Sequence, residues 1–454
     1  MRNITSSLTI RMNKSVGYGQ FIIPYPCHFP RYSQDPKIKS QSIREVWDPV
    51  SRRLIRTDSC YIPRPPPCIP EFSSHIGNGT IFTTTGNFAS YVDGVWLAVG
   101  DDTDKKRTTL VSTDGITWTA PSTVSVFTGA GKYITRIPGT VTVAIGYTSG
   151  NAGQIVYTLT PSDIVNYPWI PVEIQVGSSM FSGPANSIAS SVAGGPSDTN
   201  CVVVGRDTSN SGNTILISGD GRTNYRSVTL ASGSKFVKSG NSVAFVSASK
   251  WVAVGDDNGG TNTIIYSNAN ISDCYVATGG FNGAGNSVVY KGTGTSCVAV
   301  GYNLSSGNKV GSILYTTNLS SWAAATGTIF SKEGLAIAYG NDVWVAVGDD
   351  DGGSHTITYS TNANGTSGWT IPSGLLFSKR GTAVAYDGVG RWIAVGSNLD
   401  GSGVILQSTD NAQTWSAVTG VALTDEPTSV SYGNGIWVVT SNGSSSLLYL
   451  NISC

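Results

Sequence analysis

The chain has 454 residues, of which only 12% are charged and 55 are glycine, a composition that suits a turn-rich all-β protein. Lys plus Arg and Asp plus Glu balance at 28 each. No stretch approaches the ~18 consecutive apolar residues of a membrane-spanning helix, so membrane insertion is not expected.

The N-terminal residues Met1-Arg-Asn-Ile-Thr-Ser-Ser-Leu8 lack the apolar core of a secretory leader, so the ordinary secretory route is not expected. Residues 1–76 form a compositional unit of their own. They hold eleven Lys/Arg against five Asp/Glu, a net of about +6, and ten of the 19 prolines. The segments Phe21–Pro30 and Cys60–Pro70 mix apolar residues with prolines that forbid regular ladders. Such segments bury little by themselves and suit extended docking on another protein. The expected contact residues are Phe21, Ile22, Ile23, Tyr25, Phe29, Trp47, Tyr61, Ile62, Pro65, Pro66 and Pro67. The positive charge is spread too thinly to suggest nucleic acid. Cys27, Cys60 and Cys68 lack metal-ligand spacing, and a disulfide among them stays open.

From residue 77 onward one phrase recurs. It reads Trp96-Leu-Ala-Val-Gly100, Val141-Thr-Val-Ala-Ile-Gly146, Cys201-Val-Val-Val-Gly205, Trp251-Val-Ala-Val-Gly255, Cys297-Val-Ala-Val-Gly301, Trp344-Val-Ala-Val-Gly348, Trp392-Ile-Ala-Val-Gly396 and Trp437-Val-Val-Thr440. The spacing averages about 47 residues, the length of one four-stranded blade. Runs such as Leu335-Ala-Ile-Ala-Tyr339 precede the phrase through a Gly/Asn turn, and runs such as Ser312-Ile-Leu-Tyr-Thr316 follow it. The fold expected is therefore an all-β β-propeller of eight four-stranded blades, with seven as the alternative count, spanning 77–454 behind an extended Pro-rich arm at 1–76. The last repeat stops short of a fourth strand, and Thr80-Ile-Phe-Thr83 is expected to supply it from the other end of the chain. Ten of the eleven Trp have places defined by the repeat and are read as packing residues, leaving Trp47 outside the pattern.

Two turns carry a family likeness. Ser408-Thr-Asp-Asn-Ala-Gln-Thr-Trp415 resembles the Asp-box, with Ala412 where Gly is usual, and Ser112-Thr-Asp-Gly-Ile-Thr-Trp118 is a shortened form. Ser360-Thr-Asn-Ala and Thr316-Thr-Asn-Leu are degenerate copies. The chain thus resembles the Asp-box (BNR) β-propellers, a family that includes sialidases and sortilin-type receptors. The resemblance implies structural roles for Ser112, Asp114, Trp118, Ser408, Asp410 and Trp415. It covers about four-fifths of the chain, and it speaks for the fold rather than for an activity.

Chemistry is harder to find. Arg136-Ile-Pro138 is similar to a sialidase motif, but such enzymes also need two more arginines, a Tyr–Glu pair and an acid, and the ring has only Glu173, Glu333 and Glu426. The acidic loops after Gly100, Gly255 and Gly348 could in principle hold Ca²⁺, yet they lack the alternating ligand order of a calcium loop, and turn chemistry is the expected role. No cofactor and no catalytic set is expected. Repeats of this Trp-Val-Ala-Val-Gly type resemble those of large DNA viruses. The expected function is a non-enzymatic structural or interaction protein of the virion surface or minor capsid, attached to a capsid or other structural protein through its arm. A propeller that binds cell-surface glycan is the rival, with Tyr147 and Tyr302 as its contacts, and a sialidase-like hydrolase stands third.

Overall fold

The computed structural model describes residues 44–48, 53–57 and 71–453, the last span interrupted at 121–125, 139, 160–168, 176–177, 192–199, 210–212, 232–234, 258–261 and 421. Of the expected arm contacts, Phe21, Ile22, Ile23, Tyr25, Phe29, Tyr61, Ile62, Pro65, Pro66 and Pro67 lie outside the described residues. Two units are distinguished, 1–70 and 71–453. In the first, strand β1 (Arg44–Asp48) pairs antiparallel with β2 (Arg53–Thr57), placing Trp47 opposite Leu54.

The second unit is a ring of antiparallel sheets. Each sheet begins with an inner strand, and these run Thr85–Val92, Ala130–Arg136, Ala185–Ser190, Ser239–Phe245, Ala284–Tyr290, Glu333–Gly340, Arg380–Tyr386 and Pro427–Gly433. Each inner strand lies against the next, and the last returns to the first, so the eight close a cycle. The recurring phrase forms the second strand of every sheet, as in Trp251–Asp256 and Trp392–Ser397. Neighbouring sheets cover it on both faces, which is why it reads as a continuous apolar run rather than an alternating one. In the sixth blade all five residues from Trp344 to Gly348 are buried.

The Gly that ends the phrase answers a β-bulge in the inner strand. The register slips between Gly334 and Ala336, which brings the Glu333 carbonyl so close that a Cβ on Gly348 would sit 2.2 Å from it. One link leads from each blade to the next, and among the described residues each buries a large apolar side chain between them. These are Phe82, Phe127, Phe181, Phe236, Phe281, Phe330, Phe377 and, in the eighth place, Leu423.

Closure differs from the expected route. Strand β3 (Glu71–Ile76) pairs antiparallel with the last strand, Leu447–Ser453, in register from Glu71 opposite Ser453 to Ile76 opposite Leu448. Thr80–Thr83 is not that strand. Its Phe82 instead fills the link into the first blade. The six residues of β3 therefore belong to the ring, on the far side of the expected 76/77 boundary. The physical reason is reach. Gly77 already hydrogen-bonds the Leu447 carbonyl, and Asn78–Gly79 is engaged with Thr117–Trp118 of the first blade.

Candidate functional site

The ring has two ends. At the hairpin end lie the turns between first and second strands; at the loop end lie the loops after the second strands and the links between blades. Between them runs the central channel, walled by the inner strands.

The box turns sit away from the channel, at the third-to-fourth-strand turns. Asp114 Oδ1 accepts hydrogen bonds from the Ile116 and Thr117 backbone N–H groups at 2.8 and 2.7 Å, and from the Ser112 hydroxyl at 2.8 Å. Although burial acts the other way, these bonds hold its carboxyl below the usual range. Asp410 accepts from the Ser408 hydroxyl at 2.8 Å and the Thr414 N–H at 2.9 Å, while the indole of Trp415 donates to the Ala412 carbonyl at 3.1 Å. Ala412 adopts φ 66°, the conformation for which Gly is usual. A third such turn escaped the sequence reading, built by Ser218 and Asp220 with Tyr225 in place of Trp. Its signal was the run Ser218-Gly-Asp-Gly221, which a search demanding Trp passes over.

The acidic loops separate into two chemistries. In each pair the second carboxylate is buried and accepts backbone N–H groups. Asp350 takes those of Ser331, Ser354 and His355 at 3.0, 3.0 and 3.2 Å. Asp102 takes the Thr83 N–H at 3.1 Å and the Arg107 Nε at 2.7 Å, and these partners outweigh burial to bring its pKa to about 2. The first carboxylate meets a lysine instead, Asp256 with Lys238 at 2.8 Å and Asp101 with Lys105. Among the described residues no cluster of His, Cys, Asp and Glu could hold a metal ion.

At the loop end of the fifth to eighth blades, ion pairs cross the blade boundaries. Lys309 reaches Glu333 at 2.9 Å across one blade boundary, and Arg380 grips Glu426 with two hydrogen bonds of 2.9 Å across another. Burial, with Glu333 and Asp351 adding to it, pushes the Asp349 carboxyl up despite Lys332 and Arg380. The arginines do not form a carboxylate clamp. Arg136 Nε binds Asp93 at 2.8 Å at the hairpin end, whereas Arg380 and Arg107 occupy the loop end. Tyr147 and Tyr302 are half-buried, and each carries an ammonium above its ring, Lys132 at 5.7 Å and Lys309 at 4.3 Å from the centroids. Those cations occupy the faces a sugar would stack on.

Below the rim, six of the eight inner strands use the bulge residue to reach the next blade. The amides of Asn87, Asn186, Asn241 and Asn286 donate to the carbonyls of Gly131, Gly240, Gly285 and Gly334 at 2.7 to 2.9 Å. The Thr382 hydroxyl donates to the Pro427 carbonyl at 2.7 Å, and that of Thr428 closes the circle on Gly86. Lys132 and Leu335 break the series. One residue further along, six strands carry only Ser or Ala, but the first two carry Phe88 and Tyr133, whose rings stack at 3.9 Å. Beside them the inner strands line an open cavity of about 440 Å³.

No protein-family profile matches this chain, and no curated protein matches it. Solved structures do. Sqt1 from Chaetomium thermophilum is 10% identical, with a TM-score of 0.57 over 83% of this chain and 97% of that one. The computationally designed Ika8 protein is 11% identical, with a TM-score of 0.55 over 84% of this chain and 100% of that one. At such identities the likeness speaks for architecture alone. With the closed cycle of inner strands, it makes the ring a β-propeller.

Proposed function

We propose that this chain is a non-enzymatic interaction propeller which its N-terminal arm anchors in a larger assembly. The observation that carries this reading is the root of the arm. Strand β3 is held by six antiparallel register pairs on one side, and by Thr419–Gly420 on the other. The chain that follows residue 70 is therefore fixed in a sheet of the ring from its first residue, Glu71. A second support is that Arg136, of the sialidase-like motif, is engaged with Asp93 at 2.8 Å. The partner suited to a basic, Pro-rich arm is a structural protein such as a capsid subunit, and the role a virion surface or minor capsid component. The Asp-box resemblance fits this reading, since its Ser, Asp and Trp serve the turns.

The test is a pull-down from the native source, comparing the full chain with a chain that begins at Glu71 and so keeps its closing strand. Stoichiometric capture of a structural protein by the full chain alone supports the anchor. Equal capture by both places binding on the ring, and retention of both on immobilised glycan instead of protein favours the lectin reading.

A further inference from the structure

One break of the repeat on the channel wall has a chemistry of its own. Phe88 and Tyr133 project from adjacent inner strands at a position where the other six have Ser187, Ser242, Ser287, Ala336, Ala383 and Ser429. Together the two rings form an apolar wall, with Ala336, Ala383 and Ala385 on the opposite side of the cavity. Toward the hairpin end the lining changes to Ser90 of the first blade and Ser431 of the eighth, which occupy the same strand position. Neither hydroxyl has a hydrogen-bond partner among the described residues. The lining contains no carboxylate, ammonium, guanidinium or imidazole.

We propose that this cavity binds a small uncharged aromatic group bearing a hydroxyl, that is, a phenol. A charged ligand would lose its hydration without gaining a counter-charge. A purely apolar one would leave the Ser90 and Ser431 hydroxyls unused, whereas a phenolic hydroxyl both donates to and accepts from them. The ring of the ligand packs against the free face of the Phe88–Tyr133 pair in offset or tilted geometry. The volume is in the range of small-molecule sites, roughly 300–1,000 Å³. The inference is independent of the arm and of any capsid partner.

Calorimetric titration of the full chain with 4-ethylphenol tests it. The expected result is one saturable site with a dissociation constant below about 1 mM, and no binding of 4-ethylbenzoate. Ser90→Ala combined with Ser431→Ala should weaken binding about fivefold, and Ala383→Phe, which fills the cavity, should abolish it. N-acetyl-tyrosinamide separates the sources. Binding of it alongside 4-ethylphenol points to a tyrosine side chain of a partner peptide, and binding of 4-ethylphenol alone to a free phenol. Absence of saturable binding overturns the proposal, as does undiminished affinity in an Ala383→Phe protein that melts like the parent. Should that variant fail to fold, Ala336→Leu fills the same space from the preceding blade and is read the same way.

Discussion

The sixth and eighth blades have the same strand order on different covalent footings. In the sixth blade, the loop after the second strand returns to the link that opens the same blade, through Asp350 and the Ser331 N–H at 3.0 Å. In the eighth blade the equivalent loop reaches across the ends of the chain. Gly443 N–H donates to the Thr84 carbonyl at 2.7 Å, and the Ser446 hydroxyl to the Phe82 carbonyl at 2.7 Å. Asn442 also pairs with Thr85. A continuous blade can be stitched to itself by one buried carboxylate. Both blades also reach the link that follows them, Thr356 donating to the Phe377 carbonyl at 3.0 Å in the sixth and Ser446 to that of Phe82 in the eighth. What sets the eighth blade apart is that it has no such carboxylate and holds its own opening link by the Asn442 N–H on the Glu426 carbonyl at 3.1 Å. It must also recover the entropy of closing a loop of more than 300 residues.

The sharpest way to break that contrast is to remove β3. A chain beginning at Gly77 loses the six register pairs with Leu447–Ser453 and exposes that strand as an edge. At about 1 kcal/mol for each of several ladder bonds, the loss is on the order of 5 kcal/mol, or a melting temperature lower by about 6 °C. Aggregation is expected to accompany it. A chain beginning at Glu71 should melt within about 2 °C of the full protein, a comparison scanning fluorimetry makes directly.

Acid should act next, and on the continuous blades first. Hydrogen bonds hold the carboxyls of Asp102, Asp207 and Asp350 below their ordinary value, Asp102 at about 2. A group whose pKa is depressed by folding stabilises the fold above its unfolded pKa, near 4, and loses that contribution as pH falls through its folded value. The melting temperature should accordingly hold from pH 7 to about 5 and drop steeply between about 4 and 2. Amide exchange should show the loops around Asp102 and Asp350 opening before the clasp at Asn442–Ser446. A fall confined to the eighth blade would contradict the assignment.

A single substitution isolates the same effect. Asp350→Ala removes a buried carboxylate that accepts three backbone N–H groups and should cost about 1–3 kcal/mol in denaturant titration. Its neighbour Asp351, whose side chain is 69% exposed in its pairing with Lys332, should cost no more than about 0.5 kcal/mol when changed to Ala.

Much of this was legible beforehand because propeller repeats are dictated by packing. The Trp-Val-Ala-Val-Gly phrase marks the second strand since only apolar residues fit between two sheets, and its Gly marks the bulge. The loop aspartates are harder to sort, since Asp350 and Asp351 look alike in sequence and only burial separates them. The closing strand was misplaced because Glu71-Phe-Ser-Ser-His-Ile76 carries none of the repeat's vocabulary, and its pairing with Leu447–Ser453 is fixed by the ring rather than by local pattern. The Phe88–Tyr133 pair was invisible for a related reason. An aromatic residue in an inner strand looks like core until the ring shows that its equivalents are Ser and Ala.

The smallest expected effect bears on what joins blade to blade. Asn87 makes one inter-blade bond, to the Gly131 carbonyl at 2.7 Å, and Thr382 and Thr428 make the same kind of bond with a shorter side chain. Asn87→Ala should therefore lower stability by about 1 kcal/mol, while Asn87→Thr should recover most of the loss, because a hydroxyl can reach the same carbonyl. Leu335 is the converse case, a bulge residue with no polar group to offer the seventh blade. Leu335→Asn should gain a few tenths of a kcal/mol if its amide takes the Gly381 carbonyl as its equivalents do. Urea midpoints of the three variants decide the matter. No loss in Asn87→Ala would mean that the blades are held by face packing alone and that the circle of bulge hydrogen bonds follows from closure without contributing to it, whereas equal losses for Ala and Thr would mean that a hydroxyl at position 87 does not reach the Gly131 carbonyl.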